Sequence, residues 1–473
     1  MKRVFFFVSM LLFASFLQAQ NRKGIDYVDL FIGTADDFGQ NDPAAAVPYG
    51  MVKVSPDTDP NNHSGYNYEN AQLMGVSVNR ISGVGCSGAG GNMRIVPRTD
   101  RRPYVFLHKG TEKAFPGYYA VELSNGIRVE LTATSNMAIE RYYFGNNHTL
   151  VLELDHRSSF SRLLKSEYRQ LSATSLSGEY QAMNNCNYGR YIQYYCLQSS
   201  QPFALATGSG EKLNLSFTKG DTGFVEIRIA LSGMDEKTAM KEMERQAGLT
   251  FEDVQTAART LWDEKLSKIE VSGTDADKTM FYTSLYRSFL SPVNVTSHEG
   301  MYRDSKGVPQ KADGFTYMSF WSLWDTYRTK FPLLSLIDAT QYRDVCRSLV
   351  ELYRSGIDRY ASDYEMTPTC RTEHAVIILL DAMRKDIGGF DLQSVYSQLE
   401  DEAASLPMQS PDNFMESAYD LWALAQISKD LGMSQKHEYY KAKSDSAWKT
   451  KWVERISPIS RLLSCSTLSV VPT

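Results

Sequence analysis

The chain opens on a single apolar run and then changes its hydrophobic period. Positions 4–17 are almost wholly apolar behind Lys2 and Arg3, and Gln18-Ala19-Gln20 ends the run. It is short for a bilayer crossing and has the flanks of an export signal, so residues 1–19 read as a signal peptide cut near Ala19. Residues 21–235 carry short β-branched and aromatic runs at 117–123, 128–134, 139–144, 150–154 and 224–231. Turn residues separate them, as at Asn125-Gly126 and Gly145-Asn146-Asn147. This spacing predicts an antiparallel β-sandwich as the N-terminal domain. Residues 236–276 change to helical spacing, with Leu261, Trp262 and Leu266 on one face, and read as a helical linker. From 277 to 455 the pattern predicts helices at 277–290, 320–337, 340–354, 372–385, 392–406 and 414–431. A last one runs to about 452, with Ser434 as its cap. Positions 375–380 are apolar all round, as in an inner-layer helix. Helical pairs joined by long loops such as 291–318 predict an (α/α) toroid whose loops line a groove. Residues 456–473 lose the helical period and form an atypical tail.

Composition narrows the function classes. The 473 residues are 42% apolar and 22% charged, the balance of a globular protein. Fifty Lys and Arg against 55 Asp and Glu leave a net charge of −5, which argues against nucleic acid as a partner. After signal cleavage no run is long enough to span a membrane, so the protein is expected to be exported, periplasmic or extracellular. None of the six cysteines forms a C-x-x-C pair. Cys186 and Cys196 flank a Tyr-rich stretch and either bridge a hairpin or stay as free buried thiols.

Three strings concentrate side chains capable of chemistry. The first runs Asp313-Gly-Phe-Thr-Tyr-Met-Ser-Phe-Trp-Ser-Leu-Trp-Asp325-Thr-Tyr-Arg328. An aromatic face such as Trp324 covers the C–H side of a sugar, and a carboxylate such as Asp325 accepts from paired hydroxyls. Alternatively, Asp325 and Arg328 simply pair at i, i+3 above an aromatic core. The second, Ser82-Gly-Val-Gly-Cys-Ser-Gly-Ala-Gly-Gly91, has a formal G-x-G-x-x-G but is followed by a strand-like stretch at 92–97. That argues against a dinucleotide site. It reads better as a loop bringing backbone close to a ligand or a neighbouring domain, with Gly85 and Cys86 as candidate contacts. The third is Thr369-Cys-Arg-Thr-Glu373-His374. Glu373 and His374 either face the groove, or Glu373 supports a helix N-terminus as a first-turn carboxylate. No zinc-protease, serine-hydrolase, P-loop or EF-hand pattern occurs, which leaves a carboxylate hydrolase or a binder.

Four strings resemble glycoside hydrolase family 92. They are Ala46-Val-Pro-Tyr-Gly-Met-Val-Lys-Val-Ser-Pro-Asp-Thr58, Ser82-Gly-Val-Gly-Cys-Ser87, Asp313-Gly-Phe-Thr-Tyr317 and Ser322-Leu-Trp-Asp-Thr-Tyr-Arg328. The resemblance implies exo-acting, calcium-dependent α-mannosidases built as a β-sandwich, a helical linker and an (α/α)6 barrel. It implies mannose-containing glycans as partners and hydrolysis with inversion: a protonated Glu donates to the leaving oxygen and an Asp-held water attacks opposite. Trp324, Asp325, Arg328, Gly85, Cys86, Glu373 and His374 are the substrate-binding candidates, and no metal ligand is assigned. The chain departs from the family pattern at Val78-Asn79-Arg80, where His residues are usual. It departs again at 88–91, where an aromatic and an acidic residue are usual, and around Glu373-His374.

At about 28 residues per helix, twelve helices need about 336 residues, so 277–473 is expected to hold an incomplete barrel. The acid, the base and most of the calcium site are expected beyond residue 473. An open barrel would leave inner faces such as 375–380 wet, at ~1.5–3 kcal/mol per large side chain. The other readings are a carbohydrate-binding protein without catalysis, and an enzyme of other specificity using Asp313, Asp325 or Glu373.

Overall fold

The computed structural model describes residues 22–449 apart from 36–40, 60–61, 82–89, 100–103, 158–160, 185–188, 209–211, 320–321, 357–360, 370–372 and 409–410. The signal segment 1–19 and the tail 456–473 lie outside the described residues.

Two large antiparallel sheets form the sandwich, and three two-stranded sheets stand beside them among the described residues. One has seven strands in the order Ala45–Ala46, Lys53–Asp57, Gly75–Ser77, Arg94–Arg98, Thr149–Asp155, Leu213–Thr218 and Ala204–Thr207. The other has eight, in the order Leu163–Gln170, Ser175–Met183, Arg190–Ser199, Phe224–Ser232, Met137–Tyr143, Arg128–Ala133, Tyr118–Glu122 and Lys113–Phe115. The period-2 pattern sets their register. Leu150, Leu152 and Leu154 stand opposite Phe217, Leu215 and Leu213, and all six are buried. Cys196 is a buried free thiol within the second sheet, and Cys186, the other end of the possible hairpin bridge, lies outside the described residues. Burial pushes the Cys196 thiol up to about 11.

The eight-stranded sheet is covered on both faces. Ala138 and Tyr142 face the sandwich interior, while Met137 and Ile139 face helices α1 (Glu236–Arg245) and α2 (Phe251–Leu266). Ala239, Met243, Phe251 and Val254 complete this second core. Asp235 caps α1 by accepting from the Thr238 N–H, and Thr250 with Asp253 forms a capping box on α2. The far end of α2 ties the sandwich to the helical half. Trp262, fully buried, donates Nε1–H to the Ala46 carbonyl at 2.7 Å and packs 4.0 Å from the Tyr286 ring.

Then come α3 (Asp275–Ser288), the short α4 (Leu323–Thr326), and six helices in three hairpins. These are α5 (Lys330–Ile337) with α6 (Ala339–Ser355), α7 (Ala375–Arg384) with α8 (Tyr396–Ser405), and α9 (Pro411–Asp430) with α10 (Ser434–Trp448). Helices α5, α7 and α9 pack side by side as an inner row, with α6 and α8 touching behind them. The helix expected over 320–337 is broken between α4 and α5. Pro332 has no N–H to give and fits only a first helical turn, so a new helix starts just before it. Ser434 is the first residue of α10 rather than its side-chain cap.

The inner faces do not stand open at α7. Every residue from Ala375 to Leu380 is buried, because α5, α6 and α9 close around this helix. The exposed apolar surface lies on α9 instead, where Met415, Tyr419 and Trp422 are each about 40% accessible.

Candidate functional site

The inner helices alternate with outer ones, so α5, α7 and α9 run the same way and the segments leading into them gather on one side. The first string supplies Trp324, Asp325 and Arg328 on and just after α4. Ser322 accepts the Asp325 N–H at 3.3 Å and fixes this turn. Trp324 is 37% accessible and donates its indole N–H to the Glu416 carboxylate of α9. Asp325 is exposed and forms no ion pair with the described residues, so the i, i+3 pairing does not occur. Arg328 instead donates Nε–H to the Tyr327 hydroxyl at 2.6 Å. The Asp313 end of the string serves the scaffold. Arg347 donates to the carbonyls of Asp313 and Gly314 at 2.7 Å, and Tyr317 stacks on Tyr302 at 3.8 Å.

Glu373 and His374 enter from the segment before α7. Neither is a first-turn residue: His374 is the N-cap, held at φ 69°, and Glu373 precedes it. A non-glycine residue in that region signals local strain, which concentrates at functional sites. His374 is buried beneath the Tyr327 ring at 4.4 Å, and its Nδ1 lies 2.8 Å from the Asp420 carboxylate of α9. A carboxylate oxygen accepts, so Nδ1 donates to it. Nε2 is buried and meets no hydrogen-bond partner among the described residues.

Glu416 and Asp420 are i, i+4 on α9, hence on one face one turn apart. They carry the contacts to Trp324 and His374 respectively. Beside Asp420 opens a cavity of about 220 Å3 lined by Tyr353, Glu373, Asp401, Glu402 and Asp420 among others. The Tyr353 hydroxyl donates to Glu402. Tyr419 stacks on Trp422 at 5.6 Å and lies 6.1 Å from the Tyr327 ring. The arrangement presents flat aromatic faces beside carboxylates, the chemistry that grips a pyranose from its C–H face and its hydroxyls.

Two of the expected contacts, Gly85 and Cys86, lie outside the described residues. The flanking Val78-Asn79-Arg80 is structural. Arg80 forms a buried two-pronged pair with Asp57 at 2.9 and 2.6 Å. Gly65 and Gly91, both at positive φ, leave the room it fills, since a Cβ on either would come within 2.5 Å of the guanidinium. Asn79 donates to Tyr180 at 2.9 Å and accepts the Gly91 N–H at 3.0 Å. Among the described residues no three His, Cys, Asp or Glu side chains are grouped to hold a metal ion.

A sandwich thus feeds paired helices, with aromatic and carboxylate side chains gathered at one end of the inner row. Residues 27–258 match the Glycosyl hydrolase family 92 N-terminal domain, and residues 238–414 match the Glycosyl hydrolase family 92 catalytic domain. The chain belongs to glycosyl hydrolase family 92. Its fold is similar to that of the family 92 glycosyl hydrolase ccman5, with a TM-score of 0.79 and 26% identity over 90% of this chain and 64% of that one. It is likewise similar to a family 92 α-mannosidase from Bacteroides thetaiotaomicron in complex with mannoimidazole, with a TM-score of 0.80 and 25% identity over 91% of this chain and 64% of that one. It is 27% identical over 363 residues to an uncharacterized secreted glycosidase of Arthroderma benhamiae, which covers 64% of this chain and 45% of that protein. The chain thus spans less than two thirds of the length of these relatives. Among the described residues no helix is long and apolar enough to cross a membrane.

Proposed function

We propose that this chain recognises terminal α-mannosides as an exported α-mannosidase-type glycoside hydrolase, of the inverting, α-1,2-directed kind that the sequence resemblance implies. The observation that carries the reading is the pairing of Trp324 with Glu416 and of His374 with Asp420, which draws the starts of α4, α7 and α9 into one site. In this reading Trp324 covers the C–H face of the terminal sugar, Asp325 and Arg328 hold its hydroxyls, and His374 Nε2 accepts from one more. An inverting pair needs carboxylates ~6.5–9.5 Å apart with a water between them. The reading assigns neither the proton donor nor the water-activating carboxylate to a described residue, and it leaves calcium as an expectation of the family. Export is supported by the segment 1–19 and by the secreted relative.

A second reading, carbohydrate binding without hydrolysis, is favoured by the accessible Trp324, Tyr419 and Trp422. One pair of measurements separates them. Calorimetry with methyl α-mannoside should show binding that Trp324→Ala weakens about tenfold, roughly the loss of one stacking contact. Mannose release from α-1,2-mannobiose then decides whether the bound sugar turns over. An unchanged affinity in the Trp324→Ala chain would overturn the site itself.

A further inference from the structure

A second polar cavity lies away from that site, where the sandwich, α1 and the loop before α4 meet. It measures about 260 Å3 and is lined by Ser135, Asn136, Glu242, Arg245, Asn294 and Thr316 among others. Its charges cancel. Glu242, only 2% accessible, accepts from Arg245 at 3.2 and 3.0 Å and from the His298 N–H at 2.8 Å. A cavity whose cation is already neutralised by its carboxylate selects neither an anion nor a cation.

The rest of the wall mixes apolar side chains (Met51, Leu231 and Val295) with His298 and with uncharged polar side chains. Asn136 uses its Oδ1 to accept from Gln246 at 3.1 Å, and Asn294 uses its Oδ1 to accept the Thr296 N–H at 2.9 Å. Their NH2 groups, and the hydroxyls of Ser135 and Thr316, make no hydrogen bond to the described residues. None of these atoms is sealed from solvent. They therefore face the cavity as two amide donors and two hydroxyls that both donate and accept. The volume equals about nine waters at ~30 Å3 each, roughly the bulk of one sugar ring with its hydroxyls.

We infer that this cavity binds a neutral polyhydroxylated ligand of monosaccharide size. The amides of Asn136 and Asn294 donate to its ring or hydroxyl oxygens, and Ser135 and Thr316 accept from its hydroxyls. The inference uses none of the residues of the proposed mannoside site, so either can fail alone.

The test uses the full chain carrying Trp324→Ala, which removes the first site's platform. Saturation-transfer NMR is run with methyl α-mannopyranoside, methyl β-galactopyranoside and sodium phosphate. At least one glycoside should receive saturation and phosphate should not displace it. Adding Asn136→Asp with Asn294→Asp keeps both acceptor oxygens and replaces both donors, and should weaken that glycoside about tenfold or more. Should that double variant fold poorly, Thr316→Val removes one hydroxyl at constant shape and should weaken it too. No transfer from either glycoside, displacement by phosphate, or unchanged affinity in the folded variants would each overturn the inference.

Discussion

A buried pair of hydrogen-bonded side chains sits in each half of the molecule, and the two differ in what they leave over. In the sandwich, Arg80 and Asp57 meet face to face, both 3% accessible at the side chain, with glycines walling them in. In the helical half, His374 meets Asp420 with one ring nitrogen and leaves the other without a protein partner among the described residues. The first pair is finished by the fold. The second leaves one ring nitrogen over. Buried polar groups are hydrogen-bonded as a rule, and His374 Nε2 is one of several buried atoms without a partner among the described residues.

The largest effect should come from breaking the finished pair. Arg80→Met strands the Asp57 carboxylate in the interior and should cost about 3–5 kcal/mol in denaturant unfolding. Arg80→Met with Asp57→Leu should recover most of that, because a buried pair replaced by apolar side chains is often neutral. A single variant near wild-type stability would mean that Arg80 is not the structural residue its packing makes it. The helical half has an apolar counterpart in the fully buried Leu421 of α9, and Leu421→Ala should cost about 2–5 kcal/mol.

Much of this contrast is legible in the sequence, and the part that is not has a physical reason. The switch from alternation to helical spacing near residue 236 marks where the last strand of the sandwich ends, at Ser232, and α1 begins. Trp324, Asp325 and Arg328 stand out because six aromatics and three charges share the string 313–328. Asn79 and Arg80 draw notice because they border a Gly-rich loop. Yet Asp57, which satisfies Arg80, is 23 residues away, and nothing local announces it. Glu416 and Asp420 look like the polar face of an amphipathic helix. Their one signal is a pair of acids at i, i+4 within an otherwise apolar stretch. Their partners are 92 and 46 residues away, distances that only the tertiary fold closes.

A pH titration sharpens the comparison with opposite signs. Glu140, inside the sandwich with its Oε2 accepting from Tyr142 at 2.5 Å, is pushed up to about 8 by burial. A raised carboxyl binds more protons folded than unfolded, so its contribution is full below about 4.5 and is lost as pH rises to about 8. Lys330 on α5, donating to the Ser291 hydroxyl at 2.5 Å, is pushed down to about 7 by burial. There the unfolded chain binds more protons, so stability rises from about pH 7 to 10.5. Glu140→Gln should flatten the fall by ~2–4 kcal/mol. Lys330→Met should flatten the rise and leave the fall alone. Stability profiles of the three proteins between pH 5 and 10 check both, and identical profiles would remove the assigned causes.

The smallest stability effect belongs to the surface that distinguishes the helical half. Tyr419 and Trp422 flank Leu421 on α9, but each is about 40% accessible where Leu421 is sealed. Tyr419→Ser with Trp422→Ser removes aromatic area that folding buries only in part, so unfolding should shift by about 0.5 kcal/mol per site or less. If these rings are held in place for a ligand, affinity for methyl α-mannoside should fall about tenfold in the same protein. Leu421→Ala should behave the other way round: a large loss of stability with affinity retained by the molecules still folded. A double serine variant as unstable as Leu421→Ala would show the rings to be core. The two halves would then differ only in fold, and not in what they hold ready for a sugar.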